Sequence, residues 1–455
     1  MIDVLQHINY QQDSLLPRRD RNHTTTILVL GATGKAGRNL VPALLSRQVE
    51  VRAATRNSEA FDGTSNATVV RFDWNDRQTC SAALDGADGV YLIKPESESA
   101  TDLVSEFLAE MTRAGASRLV LHSEDAAKTR SATDEERRVE LVVEQSEFDW
   151  TIIRPNWFIQ DLDDQYFFGG MIRDKGIIAM TTGGAGVSWI DSRDIAATAV
   201  ELLCDPSLCR NEAFTLSGPE ALTIEALTNR IRSITGHHVV PVEETIDAAE
   251  VRMRRDGLPE DLIAYLKRLN ASIIAGDTAT VTDSVERVTG RPPRSIDNFL
   301  AEWAPQLAAQ TENVSRAVVK ANEALFGRQI KAWAGNDIDS LLECYNNDIV
   351  YVDVPFPDQP VRGLDAFRAH MINYNGQFDR SDFVAEIITL VANETHVVGE
   401  LFCTGRYIGT GSPEGGVIIS WSATLVETVV EGKICSERAY FDPTIFEKAV
   451  VKASC

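Results

Sequence analysis

Three glycines, Gly31, Gly34 and Gly37, stand between the apolar run "ILVL" and the helix-like segment "KAGRNLVPALL". Glycine at such a junction lets the backbone turn sharply and approach a pyrophosphate held at the N-terminus of the next helix. With Thr33, Lys35 and Ala36 between them, they form a G-x-x-G-x-x-G variant of the dinucleotide fingerprint, so a nicotinamide cofactor is expected here. The second strand, "VEVRAAT", is followed by Arg56, where an NAD site carries Asp or Glu for the ribose hydroxyls. A guanidinium there pairs with a 2′-phosphate through charge-assisted hydrogen bonds, and the expected cofactor is NADP(H).

These residues need a scaffold, and the sequence describes one. From Thr25, strand-like runs "TTILVL", "VEVRAAT", "ATVVRFD", "GVYLI", "RLVLHS" and "DWTIIRP" alternate with helical patterns such as Leu103 to Arg113 and Glu135 to Ser146. That alternation implies an α/β Rossmann domain with a doubly wound parallel sheet. The pattern loosens through "WFIQDLDDQYFFGGMIRDKG" and "SWIDSRDIAATAVELL", as a substrate-covering lobe would. A helix-rich tract then leads to "IDNFLAEWAP", in which Trp303 reads as a plug and Pro305 as a stop. A second unit follows: two amphipathic helices in "VVKANEALFGRQIKAWAGNDIDSLLECY", then long strands from "FVAEIITLVAN" to "KICSERAYFD". Helices followed by a meander of strands describe an α+β unit with an antiparallel sheet. The expected boundaries are an extension at 1–24, the Rossmann domain at 25–305, a linker at 306–313 and the α+β domain at 314–455.

Composition narrows the classes of function. The 455 residues are enough for two or three cores. A formal charge of −23 argues against a nucleic-acid surface, which needs clustered Lys and Arg. No run approaches the ~18 apolar residues of a membrane span. The seven cysteines contain no C-x-x-C pair and the seven histidines no H-x-x-x-H pair, so neither a disulfide framework nor a metal site is expected. The first 24 residues lack the apolar centre of a secretory signal, and a cytoplasmic protein is expected.

The segments "GATGKAGRNL", "RFDWNDRQTCSAALDGADGVYLIKP", "SEFDWTIIRPNWFIQDL", "VSWIDSRDIAATAVELL" and "FTLSGPEALTIEAL" together resemble the NmrA-like branch of the short-chain dehydrogenase superfamily over about residues 25 to 305. The resemblance implies that Asp73 lies near the adenine. It also implies that Lys94, Pro95, His122, Ser123, Pro155 and Asn156 surround the nicotinamide. The acid residue of the wider superfamily is missing, since none of the nine tyrosines is followed by lysine four residues on. Where NmrA-like reductases keep a Lys or His, four residues before the Glu of "ELVVEQS", this chain has Glu136. Reducing an unactivated ketone leaves an alkoxide that needs an acid. The expected acceptor is therefore an iminium ion, quinone or enone, with Lys94, or a water held by Ser123, as proton source.

Residues from about 314 to 450 resemble the SnoaL-like polyketide cyclases, through "WAGNDIDSLLECYNNDIVYVDVP", "RGLDAFRAHM" and "EGKICSERAYFD". The resemblance implies a cone-shaped fold around an apolar pocket, and a general acid/base aspartate near the end of the last strand, here Asp442. Alternation along that strand puts Ser436, Arg438 and Tyr440 on its face. The partner histidine of that family is replaced by Thr428, which favours isomerisation or simple ring closure over an aldol-type cyclisation. Further pocket candidates are Tyr345, Asp353, His370, Arg406 and Trp421.

The sequence thus describes a two-domain enzyme of specialised metabolism acting on a small polyketide, alkaloid or terpenoid intermediate. Reduction would occur in one domain and isomerisation or cyclisation in the other, and a homodimer through the cone is also expected. Covalent fusion raises the effective concentration of an unstable intermediate at the second site. Two alternatives stay open: a redox-neutral enzyme with a non-turnover nucleotide domain, and an NADP(H) redox sensor.

Overall fold

The computed structural model describes residues 24–57, 66–208 and 211–453. Most of the expected N-terminal extension, residues 1–23, lies outside the described residues, as do Cys209 and Cys455. The chain divides into two compact units, one up to Ala308 and the other from Ala309.

In the first unit the strands are β1 (Thr26–Val29), β2 (Glu50–Thr55), β3 (Thr68–Arg71), β4 (Gly89–Ile93), β5 (Arg118–His122), β6 (Asp149–Pro155), β7 (Ile177–Met180), β8 (Glu212–Leu216) and β9 (Val240–Glu243). Seven of them form one sheet in the order β3-β2-β1-β4-β5-β6-β8, every neighbouring pair parallel. Strands β7 and β9 pair separately, also in parallel. The sheet is buried on both faces, which is why its strands read as near-continuous Val, Ile and Leu. Ile27, Val29, Val51 and Ala53 pack on one side with Leu40, Val41 and Leu44 of the helix Gly37–Ser46. Leu28, Leu30, Val90 and Leu92 pack on the other with Val104, Phe107 and Met111 of the helix Ala100–Ala114. Chain order reverses between β1 and β4, and such a reversal opens a crevice beyond the C-terminal ends of the strands.

Two expectations are corrected. The segment "SWIDSRDIAATAVELL" is not part of a lobe: its helix Ser192–Cys204 contributes Ile195, Ala199, Leu202 and Leu203 to the sheet core beside the helix Gly37–Ser46. Nor is Pro305 a stop. One helix runs from Ile296 to Ala334 with Pro305 inside it, and residues 306–313 belong to it, the helical one of the two forms, linker or helix, that the sequence allows there. The loss of one backbone donor is outweighed by anchoring on both sides of the proline. Phe299, Leu300, Trp303 and Leu307 are all buried in the first unit, and Trp303 Nε1 donates to Asp163 Oδ1 at 2.8 Å. Trp303 is therefore the plug its sequence context suggests.

The second unit contains β10 (Tyr345–Asp353), β11 (Val361–Arg362), β12 (Phe378–Ala392), β13 (His396–Tyr407), β14 (Val417–Val430) and β15 (Lys433–Phe441), in the order β11-β10-β15-β14-β13-β12. The sheet is antiparallel except for the parallel pair β10–β15. Register shifts at Ile387/Thr389 and at Thr428/Val429 bend the long strands locally. One face of the sheet, with Val397, Leu401, Cys403, Trp421 and Leu425, packs against Leu325, Phe326 and Ile330 of the long helix and Phe367 and Met371 of the helix Leu364–Asn375.

Gly399 on β13 shows how tightly that face is filled, because a Cβ there would sit 2.0 Å from the ring of the fully buried Phe326. Gly399→Ala should destabilise the second unit by about 1–3 kcal/mol, the usual effect of overpacking a core, read as a lowered midpoint in chemical denaturation.

Candidate functional site

The turn after β1 is shaped by its glycines. Gly31 adopts φ +66°, and a Cβ on Gly37 would lie 2.2 Å from the Gly31 carbonyl oxygen and 2.8 Å from Ala32 Cα. Only glycine allows the helix Gly37–Ser46 to start this close to the strand. Ala36, Gly34 and Thr33 complete the turn, and the helix N-terminus has no side-chain cap, which leaves its N–H groups for an anion. Arg56 is exposed just beyond β2. Asp73, beyond β3, is half-buried and accepts the N–H of Asn75 at 3.0 Å.

Lys35 is held by an acidic loop. Its Nζ lies 2.5 Å from Asp161 and 2.8 Å from Asp164, above the ring of Phe167. Burial pushes the Asp161 carboxyl up to about 6, although Lys35 opposes the shift.

Beyond the strand ends lies a cleft of about 300 Å³. It brings together Lys35, Lys94, His122, Ser123, Pro155 and Asn156, all expected around the cofactor. Asn156 is fixed by donation to Ser188 Oγ at 2.8 Å and the Thr278 carbonyl at 2.7 Å. His122 Nδ1 is hydrogen-bonded to the Tyr91 hydroxyl, and burial pushes the imidazole down to about 4, so it is neutral at physiological pH. Ser123 donates to Glu140 at 2.6 Å, while Lys94 is bound to Glu96 at 3.2 Å and lies 3.9 Å from Glu136. Ser123 and Lys94 thus pair with Glu140, Glu96 and Glu136. The Glu136 carboxyl is pushed down. Burial alone would raise its carboxyl, but hydrogen bonding from Asp134 and its own backbone, with Lys94 and Arg130 nearby, holds it at about 2.

The cleft also contains residues that the sequence does not announce. Glu124 stands one residue after Ser123, where its position beside the motif is the only signal. Tyr265 comes from the helix Glu260–Ile274, far along the chain. A second cavity of about 340 Å³ shares Trp157 and Phe167 with the cleft and is lined by Phe168, Met171 and Met253 together with Asp174, Lys175 and Arg252.

The second unit encloses a cavity of about 50 Å³. Of the expected residues, Tyr345, Asp353 and Trp421 line it, and His370 Nε2 stands 3.4 Å from Asp353. Arg406 does not belong to it and pairs with Asp382 at 2.9 Å. Asp442, Tyr440 and Arg438 are also corrected: Arg438 and Tyr440 are exposed on the other face of β15, and Asp442 is exposed just beyond its end. Asp442 accepts from the Thr444 N–H at 2.9 Å and the Thr444 hydroxyl at 2.8 Å, opening the helix Thr444–Ala453. These bonds hold its carboxyl below the usual value. Alternation does place the three on one face, but the cavity takes the opposite one, with Glu437, Ala439 and Phe441.

Glu437 lines the cavity from β15. It accepts from the Tyr345 hydroxyl at 2.5 Å and Gln329 Nε2 at 2.9 Å, and burial pushes it up to about 7, with Asp353 adding to the shift. Glu427, directly opposite on β14, is fully buried, and burial beside Glu437 pushes it well above the carboxylate range. Tyr351 donates to Asp353 at 2.7 Å.

Comparison with known proteins follows this geometry. The family described as NAD(P)H-binding matches residues 31–206, and the SnoaL-like domain matches residues 326–437. The chain is 31% identical over 289 residues to the NAD(P)H azoreductase of Xenophilus azovorans, covering 62% of this chain and 99% of that protein. The chain belongs to the NAD(P)H-binding family. It is also 31% identical over 290 residues to (4-alkanoyl-5-oxo-2,5-dihydrofuran-3-yl)methyl phosphate reductase of Streptomyces griseus subsp. griseus, covering 62% of this chain and all of that one. The NADPH complex of the Escherichia coli quinone oxidoreductase QOR2 superposes with a TM-score of 0.55 at 18% identity, covering 61% of this chain and 99% of that one, and shows the same fold. This is an oxidoreductase whose NAD(P)H-dependent reductase domain precedes a SnoaL-like domain.

The position of Glu437 has a thermodynamic consequence. Its folded pKa lies above its ordinary 4.5, so its stabilising contribution is full below that value and is lost as pH rises through about 7. Between pH 5 and 8, Glu437→Gln should gain on the parent chain by on the order of 2–3 kcal/mol, read from denaturation of the second unit at each pH.

Proposed function

We propose that the chain reduces a conjugated small-molecule intermediate of specialised metabolism with NADPH, and that the second unit carries out a redox-neutral proton transfer on a related compound. The observation that carries the first part is the cleft itself. A glycine turn and an uncapped helix N-terminus lead to a pocket of about 300 Å³ with a second cavity that shares Trp157 and Phe167 with it. Arg56 supplies the preference for the phosphorylated cofactor, by charge-assisted pairing with the 2′-phosphate. The relatives named above reduce azo and dihydrofuranone compounds, which supports an acceptor with an extended π-system. Bound dihydronicotinamide would supply the hydride. The chain's own contribution is to hold the glycine loop open, fix Asn156 and His122 at the pocket wall and surround the acceptor with Trp157, Phe158 and Phe167.

For the second unit, Glu437 is the acid/base group that the cavity supports, because a carboxyl titrating near neutrality can both take and return a proton. Asp353, Tyr351 and His370 form a second polar group on the same wall. The space of about 50 Å³ favours a compact, flat carbonyl compound over a polycyclic one. Isomerisation or ring closure at a carbon next to a carbonyl suits this arrangement. Fusion of the two units keeps the intermediate at high effective concentration.

Two experiments test this. In fluorescence titrations of the full chain, Arg56→Ala should weaken NADPH about 10- to 100-fold and leave NADH within twofold; an equal loss for both would remove the phosphate role. With a β,γ-unsaturated cyclic ketone as probe, Glu437→Gln should lower the isomerisation rate about 100-fold and Asp442→Asn should leave it unchanged. The reverse order would return the chemistry to Asp442.

A further inference from the structure

In the second unit four polar side chains are sealed from water together: Gln329 on the long helix, Tyr345 on β10, Glu427 on β14 and Glu437 on β15. Glu427 and Glu437 stand directly opposite each other on the two strands, so their side chains leave the same face of the sheet. The donors of this group all go to one of the two carboxyls. Gln329 Nε2 donates to Glu437 Oε2 at 2.9 Å and to the Tyr345 hydroxyl at 2.8 Å, and that hydroxyl donates to Glu437 Oε2 at 2.5 Å. Both oxygens of Glu427 are left without a hydrogen-bond partner, and so is Gln329 Oε1. Gln329 stands beside Glu427. Among the described residues, the titratable groups beside Glu427 are Glu437, Tyr345 and Cys344, and none of these is a cation.

A buried carboxylate with no donor on either oxygen and no cation beside it is the costliest state such a group can take. With a proton, the same carboxyl has one O–H to give, and the unpartnered acceptor beside it is Gln329 Oε1. Placing the proton on Glu427 turns two unsatisfied groups into one hydrogen bond. We infer that Glu427 is a neutral carboxylic acid that donates to Gln329 Oε1, that this bond fixes the Gln329 amide with its nitrogen toward Glu437 and Tyr345, and that Glu427 is thereby a positioning residue for Glu437. That role rests on the reading of Glu437 as the acid/base group and adds the residue that aims its donors.

An amide has a donor end and an acceptor end, and what lies behind it decides which way it points. Turned end for end, Gln329 would set Oε1 against the Glu437 oxygen that now accepts two bonds. The Glu437 carboxylate would lose a donor, and its proton would be held more tightly. Glu427 does not line the cavity, so it acts through Gln329 and not on a bound compound. Burial, and then Glu437, push the Glu427 carboxyl upward, in the same direction as the geometry. Asp353 on β10 and His370 on the helix Leu364–Asn375 also face Glu437, and both are intact in the variants below.

The test uses NMR of the full chain with its glutamate carboxyls labelled, the two signals being assigned by their loss in Glu427→Gln and Glu437→Gln. While Glu437 titrates at about 7, the Glu427 signal should stay at the position of a protonated acid. In Glu427→Gln an amide N–H replaces the acid O–H, and Glu437 should keep its titration. In Glu427→Met no donor is left, and the proton affinity of Glu437 should rise about tenfold. A Glu427 signal that titrates alongside Glu437, or a Glu437 titration that falls in Glu427→Gln, would mean a charged Glu427 and overturns the inference. Equal titrations of Glu437 in the Gln and Met variants overturn it as well; should Glu427→Met not fold, the first two readouts decide. With the β,γ-unsaturated ketone probe, the pH dependence of isomerisation should move up in Glu427→Met and return in Glu427→Gln. If the titrations come out as expected but the parent chain does not isomerise the probe, the acid/base reading of Glu437 fails for that compound and the neutral Glu427 stands.

Discussion

A carboxylate removed from water must be matched by donors or give up its charge, and this constraint orders the whole molecule. Glu140 is fully buried and takes two bonds from Arg154, one from Arg137 and one from Ser123. Asp194 is matched by Arg291, Arg294 and the Arg294 backbone N–H. Asp191 is matched by Arg193 and caps the helix Ser192–Cys204. These saturated groups fix the ends of β5 and β6 and the helix behind the sheet, and so fix the walls of the cleft. Breaking any of them leaves an uncompensated buried charge, which is strongly destabilising. Glu427 and Glu437 are matched less completely, and burial pushes both carboxyls upward, toward holding a proton. The contrast between saturated and unsaturated carboxyls separates architecture from chemistry more sharply than position in a motif does.

The same constraint explains Lys35. A lysine in a glycine turn is expected to face phosphate, yet here it faces Asp161 and Asp164. Two acidic groups so near an anion site would repel the pyrophosphate, and the lysine reduces that repulsion from the protein side. Asp161 remains partly compensated, with its carboxyl at about 6, so the loop that carries it is close to losing its charge under mildly acidic conditions. Lys35 therefore acts through the acidic loop as well as through any contact with a bound nucleotide.

The sequence carries the sheet of the first unit well, because buried parallel strands are written as unbroken Val, Ile and Leu runs between glycine-rich turns. All six strands read from those runs are present, and β8, within "NEAFTLSG", is the seventh. Sites are less legible, for two reasons. On β15, alternation groups Arg438, Tyr440 and Asp442 correctly but does not say which face is inside; the packing of β14 and β10 decides that, and a register shift at Thr428/Val429 intervenes. Glu124 and Tyr265 are separated by 141 residues and meet only because a helix outside the sheet closes over the strand ends. Pro305 misleads for a related reason: its local effect is a break, while the buried Trp303 and Leu307 on either side hold the helix continuous.

The two units solve the proton problem in different ways, and the difference follows from what lies opposite each carboxyl. Glu124 faces Arg130 and a tyrosine hydroxyl, so its carboxylate has a cation and a donor beside it. That arrangement opposes the upward push of burial on this carboxyl. Glu437 faces Tyr345, Gln329, Asp353 and His370, and lies opposite a second buried glutamate. Two carboxyls this close and this buried resist double ionisation, so a proton is retained between them while the other exchanges near neutrality. A site of that kind returns the proton it takes, which suits a reaction with no net change in oxidation state. The charge each carboxyl holds is thus set by what stands beside it: a cation and a hydroxyl at Glu124, a second carboxyl at Glu437.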